Sequence, residues 1–107
     1  MSKFRSMDIL VKIYRIESEI QKAKAIGDLQ KALILYDQVL DLKQKLPNRM
    51  GLAKTIAEKG LLLENSGFFN EALDHYQNAA LITKNSPNTL FKKQLSQKID
   101  EIQSNFS

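Results

Sequence analysis

Apolar residues recur at intervals of three and four along most of the chain, which is the period of an amphipathic helix. One stripe steps through Ile13, Ile16, Ile20 and Ala23. A second stripe repeats the same steps 40 residues later, through Ala53, Ile56, Gly60 and Leu63. The few glycines and prolines stand where such stripes break or where helices would meet. The pattern predicts an all-α protein of about five antiparallel helices.

The segments that follow these two stripes share several residues at the same spacing of 40. Six positions are identical after a shift of 40: Gly27 and Gly67, Ala32 and Ala72, Leu33 and Leu73, Tyr36 and Tyr76, Pro47 and Pro87, Asn48 and Asn88. Each unit is predicted to be a helical hairpin with its turn at the glycine, which can adopt the left-handed conformation that ends a helix. The prolines are predicted to end the second helices, because proline lacks an amide donor and clashes with the preceding turn.

Gly60 lies in the middle of a predicted helix, where glycine costs about 1 kcal/mol relative to alanine. It therefore predicts the close approach of a neighbouring helix, with the bulkier Tyr36 and Tyr76 filling space one turn away. The repeated residues bring no reactive groups together, so the repeat is interpreted as packing and not as chemistry.

The spacing of small and aromatic residues resembles that of the tetratricopeptide repeat (TPR) family. The matching residues are Ile56, Gly60, Leu63, Gly67, Ala72, Tyr76 and Ala79 in one unit, and Ile16, Ile20, Ala23, Gly27, Ala32, Tyr36 and Val39 in the other. The resemblance covers about residues 10 to 88 and implies a right-handed solenoid of helical hairpins.

Two features depart from the family pattern. The period is 40 instead of the usual 34, which corresponds to about one added turn on each helix. Lys59 stands where the family prefers leucine. A two-helix repeat of this length would also suit a HEAT-type solenoid, but the glycine, alanine and tyrosine spacing of the second unit favours TPR.

The chain is predicted to be a single TPR-like domain over residues 1–107, with one repeat over about 10–48, a second over about 49–88 and a capping helix over about 89–106. The last helix has one apolar stripe: Phe91, Leu95, Ile99, Ile102 and Phe106. The face that would receive a further repeat is polar, at Ser96, Asp100 and Gln103. A polar outer face is typical of a capping helix, so the chain is expected to be complete with two repeats and a cap.

Composition narrows the classes of function. The chain has no cysteine, and its single histidine, His75, is expected to be a solvated surface residue. No metal site, cofactor or enzyme activity is predicted, because no second histidine, catalytic triad or phosphate-binding glycine loop is present. No apolar run approaches the roughly 18 residues of a membrane span, and a cytoplasmic location is expected. The net charge of +4 is spread along the chain, which argues against nucleic-acid binding.

The TPR resemblance implies that the first helices of successive hairpins line a concave groove for a peptide or a partner helix. The expected groove residues are Tyr14, Glu17, Gln21, Lys54, Glu58, Leu61, Asn65, Gln97 and Glu101. The lysines, asparagines and arginine that form the family's carboxylate clamp are not supplied at the matching positions, which hold Glu17, Ser18, Glu58 and Gln97. Tyr14 and Leu61 instead favour an amphipathic or partly apolar ligand.

Phe68 is distinguished by the repeat, because it occupies the position of Asp28 in the preceding unit. Aspartate is a preferred helix N-cap, whereas phenylalanine offers no acceptor for a backbone amide. Phe68 is therefore a second candidate contact for a partner or for a second copy of the chain. The alternative is that Phe68 covers the last helix near Phe106.

These observations predict a non-enzymatic interaction module that binds a protein or peptide in its concave groove. Two alternatives are a small dedicated chaperone for a secretion or filament subunit, and a homo-oligomeric scaffold. A homodimer is a further expectation, because about three repeats are usually needed for stability and association adds buried surface.

Overall fold

The computed structural model describes the backbone of residues 2–106 and the side chains of residues 7–105. Its helices are α1 (Ser2–Ala25), α2 (Leu29–Lys43), α3 (Arg49–Asn65), α4 (Phe69–Ile82) and α5 (Thr89–Phe106). No strand occurs within residues 2–106, so the all-α prediction is confirmed for that part of the chain. Over the same range, no helix combines the length and the apolar character needed to cross a bilayer.

The helices form two compact units that divide between Asn48 and Arg49. In the first unit α1 packs against α2, and in the second α4 packs against both α3 and α5. The repeat also extends to burial, because residues 27–42 and 67–82 have the same degree of burial at every corresponding position.

Each unit has a small core built from the predicted stripes. The buried residues of the first unit include Ile13, Ile20, Ala23, Ala32, Tyr36 and Val39. Those of the second include Ala53, Ile56, Leu63, Ala72, Tyr76, Ala79, Leu95 and Ile102. The alanines are fully covered where larger side chains would force the helices apart, which is the packing reason for their repetition.

The two hairpin turns share one backbone geometry. Gly27 and Gly67 have φ angles of 75° and 89°, in the left-handed region that favours glycine. Each glycine amide donates to the carbonyl three residues before it, and each following amide donates five residues back, as Asp28 does to Ala23 at 2.9 Å and Phe68 to Leu63 at 2.9 Å. This is the Schellman arrangement, and the prediction that these glycines end the first helices is confirmed.

The prediction that the prolines end the second helices is wrong. α2 ends at Lys43 and α4 at Ile82, several residues before Pro47 and Pro87. The end of α4 is closed by Thr83, whose amide and hydroxyl both donate to the carbonyl of Ala79, at 3.2 and 2.9 Å. The end of α4 therefore does not depend on Pro87.

The repeated Pro-Asn pair instead precedes the next helix. Asn88 directly precedes α5, and its Oδ1 accepts a hydrogen bond from the amide of Phe91 at 3.1 Å. A side-chain oxygen that satisfies an amide of the first helical turn is the contact of an N-cap residue. Asn88, the asparagine of the second repeat, is therefore the N-cap residue of α5.

The close approach predicted for Gly60 is present between α3 and α4. A Cβ atom at Gly60 would lie 3.1 Å from Cε1 of Tyr76 and 3.2 Å from Cβ of His75, which is closer than the optimal separation of carbon atoms. Tyr76 therefore lies directly against the glycine and not one turn away. His75 is half-buried, and its Cβ is the part that lies against α3.

Candidate functional site

The second unit contains a groove between α3 and α5, with a residue of α4 at its base. Its volume is about 430 Å³, within the range of roughly 300–1,000 Å³ of ligand sites. We call it the α3–α5 groove. Its lining residues are Lys54, Ala57, Glu58 and Leu61 of α3, Tyr76 of α4, and Phe91, Gln94, Leu95, Gln97, Lys98 and Glu101 of α5.

The floor of the groove is apolar. Tyr76 and Leu95 are buried, Ala57 and Phe91 are half-buried, and Leu61 keeps 41% of its surface exposed. An exposed leucine surrounded by a methyl group and aromatic rings can bury more apolar surface only by contact with another molecule or segment.

The two walls of the groove carry charges in the same order. On α3, Lys54 precedes Glu58 by about one turn, and on α5, Lys98 precedes Glu101. Successive helices joined by short connections reverse direction, so α3 and α5 run the same way. On both walls the basic residue therefore comes before the acidic residue in the same direction. The two ends of the groove consequently differ in charge.

A polar network ties the three helices together at the groove. The Tyr76 hydroxyl donates to Oε1 of Glu64 at 2.7 Å, and Nζ of Lys98 lies 3.4 Å from the same oxygen. Burial raises the pKa of Tyr76 well above its ordinary value, and the hydrogen bond to Glu64 and the charges of Glu64 and Glu101 raise it further. Tyr76 is therefore a neutral donor committed to Glu64, which holds the base of the groove in place.

The raised pKa of Tyr76 predicts a loss of stability at high pH. Above the ordinary tyrosine value of 10.0, the unfolded chain releases this proton before the folded chain does, so the free energy of unfolding falls as pH rises. Urea unfolding of the wild type and of Tyr76→Phe on either side of that pH measures the effect. The wild type should lose more stability than the variant; an equal loss in both proteins would contradict the assigned role of Tyr76.

Five of the nine residues predicted for the concave face line this one groove: Lys54, Glu58, Leu61, Gln97 and Glu101. Asn65, the last residue of α3, is exposed and is not among the lining residues. The remaining three lie on α1 in the first unit: Tyr14, Glu17 and Gln21.

The three candidates on α1 differ in their surroundings. Tyr14 is 78% exposed and Gln21 is exposed. Glu17 is half-buried and forms an ion pair with Lys43 of α2, at 3.0 Å between Oε2 and Nζ. A surface ion pair contributes only about 0–1 kcal/mol to stability, but it gives Glu17 a role within the first unit that sequence reasoning did not identify.

Six lining residues were not predicted as groove residues: Ala57, Tyr76, Phe91, Gln94, Leu95 and Lys98. Two of them could have been found from the repeat, because Gln94 and Lys98 stand 40 residues after Lys54 and Glu58. Tyr76 was interpreted as packing, and its hydrogen bond to Glu64 depends on the hairpin geometry that brings residues 12 positions apart together.

The described residues contain no group of three or more histidine, cysteine, aspartate or glutamate residues placed to hold a metal ion. His75 donates from Nδ1 to the carbonyl of Glu71 at 2.8 Å, a contact within its own helix.

Phe68 differs from Asp28, its equivalent in the first repeat, in the way that the sequence predicts. It occupies the N-cap of α4, makes no side-chain capping hydrogen bond, and is 45% exposed. At the equivalent position, Asp28 accepts a hydrogen bond from the amide of Lys31 at 3.1 Å. The predicted contrast between an aspartate cap and an uncapped phenylalanine is confirmed, while Phe106 lies outside the described side chains.

Phe68→Asp is expected to leave the isolated chain as stable as the wild type or slightly more stable. The new carboxylate would cap α4 as Asp28 caps α2, an interaction worth about 1 kcal/mol, and would replace a ring that is nearly half exposed. Urea unfolding measures the change, with Phe68→Ala as the control that removes the ring without adding a cap. A clear drop in stability for Phe68→Asp would show that the ring is part of the fold and not a contact residue.

Comparison of the chain with protein-family models, curated proteins and solved structures finds no match.

Proposed function

We propose that the chain is a non-enzymatic interaction module that binds an amphipathic helix of a partner protein in the α3–α5 groove. The observation that carries this proposal is the convergence of five predicted residues on one apolar-floored groove: Lys54, Glu58, Leu61, Gln97 and Glu101. These residues come from two helices that are far apart in sequence.

The dimensions of the groove support a helical ligand. From Lys54 to Leu61 the wall of α3 rises about 10 Å, at about 1.5 Å per residue, which is close to two helical turns. A ligand helix of that length presents apolar residues at positions i, i+3, i+4 and i+7 to a groove. The floor of Leu61, Phe91 and Leu95 matches such a stripe, and the charged walls match polar residues beside it.

The proposal includes a TPR-like solenoid that works in the cytoplasm. Its support is the resemblance of the repeated residues, the pair of similar helical hairpins, and the contact of Gly60 with Tyr76. In a TPR-like arrangement the groove would belong to the concave face formed by first helices. The absence of cysteine from the chain is compatible with a reducing compartment.

Selection from a displayed library of 16-residue helical peptides tests the proposed function. Peptides that bind the wild type should be enriched in apolar residues at i, i+3, i+4 and i+7, and should not bind Leu61→Glu. Leu81→Glu is the matched control, because Leu81 is an exposed leucine on α4 outside the groove. Selected peptides that bind Leu61→Glu as well as the wild type would place binding elsewhere.

A further inference from the structure

The charged groups at the α3–α5 groove do not balance one another. The charged lining residues are the bases Lys54 and Lys98 and the acids Glu58 and Glu101. Nζ of Lys98, however, lies 3.4 Å from Oε1 of Glu64, a further acid that is not itself a lining residue. The charge of Lys98 is therefore matched within the protein, and it does not neutralise the acids of the walls.

The carboxylates of Glu58 and Glu101 are left without an opposite charge. Both residues are exposed, and neither forms an ion pair with any residue whose side chain the structure describes. Lys54 stands four residues before Glu58 on α3, and a base that precedes an acid at this spacing interacts with it less favourably than in the reverse order. Each wall of the groove therefore presents one acid that is not neutralised.

The charge of Glu101 also reaches the base of the groove. Burial is the main cause of the raised pKa of Tyr76, followed by the hydrogen bond and the charge of Glu64 and then by the charge of Glu101. Tyr76 lines the groove, so the space beside its ring lies in the negative potential of both acids. The apolar floor strengthens this potential, because charges interact more strongly where the dielectric constant is low.

We propose that the partner helix bound by the α3–α5 groove is basic, with a lysine or arginine on each side of its apolar stripe. The inference rests on the proposed function and names the chemical class of the partner. The apolar stripe covers the floor of the groove, while one base meets Glu58 and the other meets Glu101. Covering the floor removes water from beside these carboxylates, and a neutral or acidic flank would leave them without a counterion.

The preference for a basic helix acts at short range. The chain as a whole carries a net charge of +4, so its overall field does not steer a basic ligand towards it. The two acids act only within about 8 Å, the screening length at physiological ionic strength. The bases of the ligand should therefore slow its dissociation and not speed its association.

Selection from the helical peptide library, with the positions beside the apolar stripe randomised, is the first test. Selected peptides should carry lysine or arginine on both sides of the stripe. One of them is then synthesised in three forms that share the same apolar residues, with lysine, glutamine or glutamate at the two flanking positions. These three residues have similar helix propensities, so the forms differ mainly in charge.

Fluorescence anisotropy of the labelled peptides measures their affinity for the full-length chain. The lysine form should bind about tenfold more tightly than the glutamate form, with the glutamine form between them. The difference should shrink in 1 M salt, where the screening length falls to about 3 Å. A preference based on apolar contacts alone would not respond to salt in this way.

Two double variants assign the preference to the acids of the walls. Glu58→Gln combined with Glu101→Gln should bind the lysine and glutamine forms equally. Asp74→Asn combined with Asp100→Asn is the matched control, because it changes the net charge equally at two exposed acids outside the groove, and it should keep the preference. Circular dichroism of each variant establishes that its helices are intact.

Charge reversal gives the sharpest outcome. Glu58→Lys combined with Glu101→Lys should prefer the glutamate form. Equal affinity of the wild type for all three forms, with binding still lost in Leu61→Glu, would overturn the basic partner and leave the proposed function intact. A preference for lysine that persists in Glu58→Gln with Glu101→Gln would also overturn it. A library that yields no binding peptide would refute the proposed function as well.

Discussion

Gly60→Leu is expected to lower the free energy of unfolding of the second unit strongly. The loss should lie at the upper end of the roughly 1–3 kcal/mol that is typical of added bulk in a packed interior. The first carbon of the new side chain would already lie 3.1 Å from Cε1 of Tyr76 and 3.2 Å from Cβ of His75. The remaining carbons would require α3 and α4 to separate. That movement would also disturb Tyr76, which connects Gly60 to the network at the groove. Urea denaturation followed by circular dichroism measures the change in the free energy of unfolding.

Gly60→Ala is the control for this prediction. Alanine adds only the Cβ atom, whose contacts of 3.1–3.3 Å require shifts of a few tenths of an ångström, and it gains about 1 kcal/mol in helix propensity. Its net effect should therefore be much smaller than that of leucine. A Gly60→Leu variant as stable as the wild type would show that α3 and α4 do not meet closely at this glycine.

Leu61→Glu combined with Lys54→Glu is expected to abolish binding of a library-selected peptide while leaving the melting temperature nearly unchanged. Lys54 is exposed and Leu61 keeps 41% of its surface exposed in the free chain, so a charged side chain at either position can reach water without unfolding the helix. In the complex, a carboxylate at position 61 would have to leave water beneath an apolar ligand. The second substitution reverses the charge at the basic end of one wall.

The expected loss of affinity is at least about thirtyfold, as for truncation of a central contact residue at an interface. Isothermal titration calorimetry measures affinity and differential scanning calorimetry measures stability, with Leu81→Glu as control. A variant that fails to fold would place these residues in the core. A folded variant with wild-type affinity would move the interface out of the α3–α5 groove.

The repeat allowed much of the fold to be predicted from local sequence. A glycine at a fixed place in each repeat predicts a left-handed turn wherever the hairpin recurs, and Gly27 and Gly67 both adopt it. Gly60 could be interpreted as a close contact between two helices, because glycine otherwise only lowers the stability of a helix interior. Glu58, Leu61, Gln97 and Glu101 could be assigned to a groove because the TPR resemblance implies one between first helices, and these residues lie one step from the predicted core stripes.

What could not be predicted depends on contacts between helices or on the choice among local capping groups. Pro87 suggested the end of α4, but a helix stops where its last carbonyls find donors, and α4 stops at the hydroxyl and amide of Thr83. The ion pair of Glu17 with Lys43 and the hydrogen bond of Tyr76 to Glu64 require the packed arrangement of the helices. Met7, Leu10 and Val11 could not be assigned from the sequence, because their exposure depends on which face of α1 packs against α2.

Two-dimensional ¹H–¹⁵N NMR of the labelled chain, titrated with a library-selected peptide, tests the central claim most directly. The α3–α5 groove should show the largest shift changes, at amides around Ala57, Leu61, Gln94 and Lys98, while Ile34 on α2 should be unaffected. Changes concentrated around Phe68 and the exposed face of α4, with the groove amides unmoved, would contradict the assignment of the groove as the binding site.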